Sequence, residues 1–271
     1  MRGGSRRLMR RACALDRFQT MTDLKTNSGT VANSSRHIEW SVRDSVGVLM
    51  LNRPEKRNAM SSHMYDLFNE GMRAHQSDPD VKAILIAANG SAFCAGGDLN
   101  MIDNAKRGVI SADNLDLEFC QSGWVTKPIV CAVVGACVGE GVAIVLASDL
   151  VICGASARFC MPEVGFGILP VDIPLLAGRR LNPAYMLEAL LTGDWKDSTW
   201  ADKVGLVNEV APDDEVWDKS FALARKIATA PSDAAALVKS LIYDARTPGD
   251  ITAIRTNGAA ARAKIQEEQR R

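Results

Sequence analysis

Two stretches of the chain, GSAFCAGGDL (residues 90–99) and GACVGEGVAIVLASD (135–149), each follow a compact apolar run with a tight glycine turn and what reads as a helix start. The first N–H groups of a helix have no intrahelical acceptor, so they can donate to an anion or a polarised oxygen. Two such junctions built on one sheet can aim two N–H donors at a single point, which is the geometry of an oxyanion hole. The glycines also suit plain tight turns, and residue types alone leave both readings open. Neither junction is a P-loop, since no G-K-[ST] follows, and neither has the spacing of a dinucleotide fingerprint. Glu140 stands out in the second junction as a lone acid between Gly139 and Gly141, at the head of an apolar segment.

The elements that must carry these loops follow from hydrophobic pattern. VGVLMLN (46–52), VKAILIAA (81–88), KPIVCAVVG (127–135) and LVICG (150–154) are short apolar runs that read as buried strands. SSHMYDLFNEGMRAHQSD (61–78) puts Met64, Leu67, Phe68 and Met72 on one helical face, with Ser61 or Ser62 as N-cap. GVAIVLASD is too short and too alanine-rich for a strand and reads as a buried helix. Beyond residue 183 the pattern is helical, ending in a segment over 250–269. Strands alternating with helices at this spacing predict an α/β fold whose strands are covered on both faces.

Bulk properties exclude several function classes. Lys+Arg and Asp+Glu both total 32, and aromatics are 6% with no basic stretch among them, so no nucleic-acid partner is indicated. The apolar runs are far shorter than the roughly 20 residues that span a bilayer, so no membrane partner is expected either. Seven cysteines, at 13, 94, 120, 131, 137, 153 and 160, form no C-x-x-C pair. They read as reduced, buried thiols of a cytosolic protein rather than disulfides or a zinc site. Arg2, Arg6, Arg7, Arg10, Arg11 and Arg17 face one acid, Asp16, near the N-terminus. That pattern fits a disordered tail, an upstream start with Met21 as the true one, or a mitochondrial leader in a eukaryote. The expected compartment is the cytoplasm, or the mitochondrion if the leader reading holds.

The motifs LNRPEKRNAM, FCAGGDL, KPIVCAVVGACVGEGVAIVLASDLVI, ARFCMPEVGFGILP, LLTGDW and ADKVGLVNEV occur in order and at a spacing that resembles the enoyl-CoA hydratase/isomerase (crotonase) superfamily over roughly residues 38–245. The resemblance implies a spiral of ββα repeats over 37–195 and a C-terminal helical trimerisation region over 196–271, after a disordered basic and polar segment over 1–36. It implies an acyl-CoA substrate, no metal, no redox cofactor, and a homotrimer or dimer of trimers. The thioester oxygen would sit between the backbone N–H groups of Ala95 and Glu140, which would stabilise an enolate. The chain ends soon after AAARAKIQEEQRR and looks short of the last helix that often covers the CoA site in this family.

Of the two glutamates that hydratases of the family use, one matches Glu163 in MPEVG, while the other falls on Ala143, which cannot carry a proton. Set among Met161, Val164 and Phe166, the Glu163 carboxyl is expected to titrate high, as proton transfer near neutrality requires. Glu140 replaces the glycine usual at its position. Its side chain is expected to point away from the enolate or pair with a cation, or else to be protonated and serve as a substitute acid. Asp172, in LPVDIPLL, is a third candidate acid that either meets substrate or closes a turn. The CoA moiety would meet Lys56 or Arg57, Ala59, Ala95, Gly97, Asp98 and Leu99, though Lys56 and Arg57 also read as a solvated turn. The first expectation is an enoyl-CoA double-bond isomerase with Glu163 as its single proton carrier. A hydratase with a substituted second acid is the alternative, as is a non-catalytic acyl-CoA-binding protein; decarboxylation or thioester hydrolysis would use the same oxyanion hole.

Overall fold

The computed structural model describes residues 37–107, 115–121, 124–168 and 170–244. The expected tail over 1–36 and the expected helix over 250–269 lie outside them.

A six-stranded sheet runs in the order β1 (Ile38–Arg43), β2 (Val46–Leu51), β3 (Ala83–Ala88), β5 (Ile129–Val133), β7 (Leu150–Gly154) and β10 (Glu209–Ala211). All its neighbours are parallel except β1 and β2, a hairpin turned by Asp44 and Ser45, both with positive φ. Two left-handed residues match the right-handed twist of the flanking strands. A smaller four-stranded sheet runs β4 (Ala92–Cys94), β6 (Ala136–Val138), β8 (Arg158–Cys160) and β9 (Lys196–Asp197), parallel until the last pair.

Three successive ββα units connect the two sheets. Each gives one strand to the large sheet, the next to the small sheet, and then a helix. The pairs β3–β4, β5–β6 and β7–β8 precede α2 (Leu99–Lys106), α4 (Glu140–Ala147) and α5 (Asp172–Arg180) in turn, with the short α3 (Glu118–Gln121) between the first two units. This is the predicted α/β spiral. Side chains alternate across a strand, so the large sheet feeds two cores. Leu49, Leu51, Ile84, Ile86 and Cys131 pack with α1 (Ser62–Ser77) and α4, while Val46, Val48, Leu85, Val130 and Ile152 pack with α8 (Val216–Ala228). Burial on both faces explains why these strands read as continuous apolar runs.

The region beyond 183 is less uniformly helical than its pattern suggests. It holds α6 (Pro183–Thr192), α7 (Ser198–Lys203), α8 and α9 (Ser232–Asp244), but also β9 and β10, too short for a periodic signal. α9 is tied back to the sheet by Lys239, whose Nζ lies 2.8 Å from Asp149 Oδ2 and donates to the Lys127 carbonyl at 3.0 Å. Among the described residues no helix is long and apolar enough to cross a membrane.

Candidate active site

The three parallel strands of the small sheet end in the three loops of interest. β4 runs into Ala95–Gly97, β6 into Gly139 and Glu140, and β8 into Met161–Glu163. Adjacent parallel strands place their C-terminal loops side by side, where α/β sheets commonly bind ligands. The contacts agree: Gly96 lies against Val138 and Gly139, Gly141 packs on Cys94, and Gly139 lies against Glu163 Oε1. Gly139 has φ +51°, and a side chain there would run into the Glu163 carboxyl, so glycine is required twice over.

The first loop is braced by the turn at 53–60. Asn58, fully buried, accepts from the Arg53 N–H (2.8 Å) and donates to the carbonyls of Asn89 (2.8 Å) and Ala92 (2.9 Å). Arg53 Nη1 donates to Asp98 Oδ2 (2.8 Å) and to the Ala59 carbonyl (3.0 Å). Asp98 also caps α2 by accepting from the Asn100 N–H at 3.0 Å. Burial alone would raise the Asp98 carboxyl; the Arg53 hydrogen bond and charge, with backbone donors of Asn100 and Met101, bring it below its ordinary value.

This bracing corrects one expected donor. The N–H of Ala95 donates to the Arg57 carbonyl at 3.0 Å, so it is committed to the scaffold. Met60 bridges Gly97 in parallel fashion, its N–H donating to the Gly96 carbonyl and its carbonyl accepting from the Asp98 N–H, each at 2.8 Å. The N–H of Gly97 is therefore not spent on Met60. On that junction Glu140 is the first residue of α4, and its N–H has no acceptor within the helix. Among the described residues the N–H groups of Gly97 and Glu140, on adjoining loops, donate no hydrogen bond.

The acids converge around them. Glu163 opens a single 3₁₀ turn after Pro162; its Oε2 is buried without a hydrogen-bond partner, and burial raises its pKa. Of its expected apolar neighbours Met161 is fully buried while Val164 and Phe166 are exposed, and Gly139 lies against the carboxyl. The Glu140 side chain does not turn away to a cation. It lies near the Tyr65 side chain, which favours its ionised form, and within reach of the charges of Asp172, Glu163 and Asp116. Burial pushes it up to about 7, Tyr65 opposes that rise, and the three neighbouring carboxylates add to it. Asp172 is the first residue of α5, half-buried, and raised by burial and by Asp116.

Ala143 is buried on α4, and its carbonyl accepts from Cys120 Sγ at 3.9 Å. Among the described residues no group of three or more His, Cys, Asp or Glu is arranged to hold a metal ion. Of the expected CoA contacts, Lys56, Arg57 and Leu99 are exposed, whereas Ala59, Ala95, Gly97 and Asp98 are half-buried. The backbone ladder between 57–60 and 95–98 brings both groups together. Tyr65 escapes a reading of the sequence that assigns the buried face of α1 only to apolar side chains. A tyrosine beside Met64 and Phe68 is the available signal, because a sunken hydroxyl needs a partner.

The comparisons fit this geometry. Residues 41–271 match the family model described as enoyl-CoA hydratase/isomerase. The 1,2-epoxyphenylacetyl-CoA isomerase of Escherichia coli (strain K12) is 30% identical over 217 residues, 76% of this chain and 81% of that one. The mitochondrial enoyl-CoA hydratase of Pongo abelii is 27% identical over 200 residues, 73% of this chain and 69% of that one. Among solved structures, the enoyl-CoA hydratase of Polaromonas sp. JS666 superposes with a TM-score of 0.75 at 25% identity, covering 84% of this chain and 90% of its own. The fold is that of an acyl-CoA enzyme. The chain belongs to the enoyl-CoA hydratase/isomerase family.

Proposed function

We propose that the protein is an enoyl-CoA double-bond isomerase in which Glu163 moves the proton. The observation that carries this reading is the buried Oε2 of Glu163, which among the described residues has no hydrogen-bond partner and lies beside two adjoining loops whose Gly97 and Glu140 N–H groups donate to none of those residues. A 3-enoyl thioester bound with its oxygen between those donors would lose a C2 proton to Glu163. The C2–H electrons then enter the enolate, whose charge the two N–H groups share. Return of a proton at C4 gives the 2-enoyl thioester. CoA enters as part of the substrate, and no metal or redox group is called for.

Hydration is the second reading, and the inward Glu140 carboxyl favours it. Adding water needs one group to activate the water and another to protonate C2. The test is product analysis by NMR with a 3-enoyl-CoA in deuterated water, alongside Glu163→Gln. Formation of 2-enoyl thioester with deuterium uptake, reduced about a thousandfold in the variant, is the expected result. A 3-hydroxyacyl product would move hydration to first place. No turnover of the 3-enoyl-CoA by the wild-type protein would overturn the isomerase reading, and no turnover of a 2-enoyl-CoA in the same assay would overturn hydration.

The expected homotrimer or dimer of trimers belongs to the same proposal. Phe166, Leu175, Leu187 and Leu191 leave apolar surface on segment 163–192 that a second copy could cover. Sedimentation equilibrium distinguishes a trimer from a monomer.

A further inference from the structure

α4 carries the Glu140 N–H at its head and is only eight residues long, so its last turn lies about 12 Å from that donor. The last carbonyls of a helix have no intrahelical donor and need one from elsewhere. Here α5 supplies it. Of the adjacent arginines at its end, Arg179 is exposed and Arg180 turns inward, half-buried. Arg180 Nη1 donates to the Ser148 carbonyl at 2.7 Å and to the Val145 carbonyl at 3.2 Å, and its Nη2 donates to the Leu206 carbonyl at 3.1 Å. Val145, Ser148 and Leu206 are fully buried, where carbonyl oxygens need protein donors. A planar guanidinium serves several carbonyls at fixed angles, which an ammonium on a flexible stem does not reproduce. Ile173 and Ala177 of α5 also pack in the same core as Val142, Ala143 and Val145 of α4. Arg180 thus pins together the far ends of two helices whose heads are Glu140 and Asp172.

We propose that Arg180 is a positioning residue: by holding the last turn of α4 it fixes the helix axis, and with it the point at which the Glu140 N–H meets the thioester oxygen. The proposal rests on the enolate chemistry above. Arg180 acts through the helix and not on the substrate. The bond from the Glu140 N–H strengthens as charge builds on the oxygen, so an error in its aim is felt in the transition state more than in the bound substrate. Loss of the pin therefore lowers kcat and leaves KM nearly unchanged.

The experiment is steady-state kinetics on a 3-enoyl-CoA for wild type, Arg180→Ala, Arg180→Lys and Lys239→Met, each assayed well below its own melting temperature. Lys239→Met is the control for stability alone. It breaks the ion pair with Asp149, the residue after Ser148, and leaves the carbonyls at the end of α4 untouched. In Arg180→Ala kcat should fall about thirtyfold with KM within about threefold of wild type, while Lys239→Met keeps kcat within about twofold. Arg180→Lys should lie between, about tenfold down in kcat, because one ammonium cannot hold all three carbonyls. An unchanged kcat in Arg180→Ala, a loss confined to KM, or an equal fall of kcat in Lys239→Met overturns the role while leaving a Glu163-dependent isomerase intact. Absence of wild-type turnover overturns the isomerase reading, and this role falls with it. Should Arg180→Ala not fold, Arg180→Lys decides against the same control.

Discussion

The two glycine junctions have the same plan and opposite means of support. The loop after β4 is held by polar braces from a neighbouring turn: Arg53 on Asp98, Asn58 on two carbonyls, and the Ala95 N–H on Arg57. The loop after β6 leads into a helix whose residues 141–146 are all buried, so apolar packing fixes it. The consequence is a division of labour. Arg53, Asn58 and Asp98 around the first loop are consumed in scaffolding, and under the proposed function the loop would meet the thioester oxygen through a backbone N–H. The second loop needs no polar brace, which leaves the Glu140 carboxyl available in a water-poor space where its pKa can climb.

The contrast can be broken from the first side with Arg53→Ala. It strands the Asp98 carboxylate in a half-buried site and should cost about 3 kcal/mol in unfolding free energy, measured by urea denaturation. At the second loop, Gly139→Ala puts a methyl group into the Glu163 carboxyl at a positive φ. Displacing a proton carrier by about an ångström should reduce kcat about a hundredfold in steady-state assays, with a smaller loss of thermal stability.

Glu140→Gln sharpens the contrast through pH. The fold raises this carboxyl from near 4.5 to about 7, so the folded state holds a proton that the unfolded chain releases. Its favourable contribution is complete below the unfolded value and is lost as pH rises to about 7 and beyond. The glutamine variant escapes that loss. It should match wild type at pH 4 and exceed it by about 3 kcal/mol at pH 8, read from paired denaturation curves. The smallest effect is expected at Ala95. Only its backbone is engaged, so Ala95→Ser should change stability and kcat/KM by no more than about 0.5 kcal/mol.

Much of this was legible in residue order, and the exceptions have physical reasons. Long apolar runs announce the large-sheet strands because both faces are buried, and Met64, Leu67, Phe68 and Met72 mark the buried face of α1. The three-residue strands β4, β6 and β8 leave no period to detect. Glycine turns mark where donors emerge, but which N–H is free depends on pairing with Met60, a contact distant in sequence. The Ala95 N–H is spent on the Arg57 carbonyl, which leaves Gly97 as the proposed donor. The burial of the Glu140 carboxyl likewise comes from packing that no motif announces.

The small sheet has a consequence for how this site can change over time. Its parallel strands lie about 4.8 Å apart, so the loops after β4, β6 and β8 line up at one strand pitch. Under the proposed function each loop would bring a different capability: a backbone donor, a second donor with an acid, and the main proton carrier. The chemistry is therefore modular by repeat. A substitution such as alanine at 143 or glutamate at 140 rewrites one slot and leaves the spacing of the others untouched. A family built on this ruler can exchange one reaction for another without redesigning its frame.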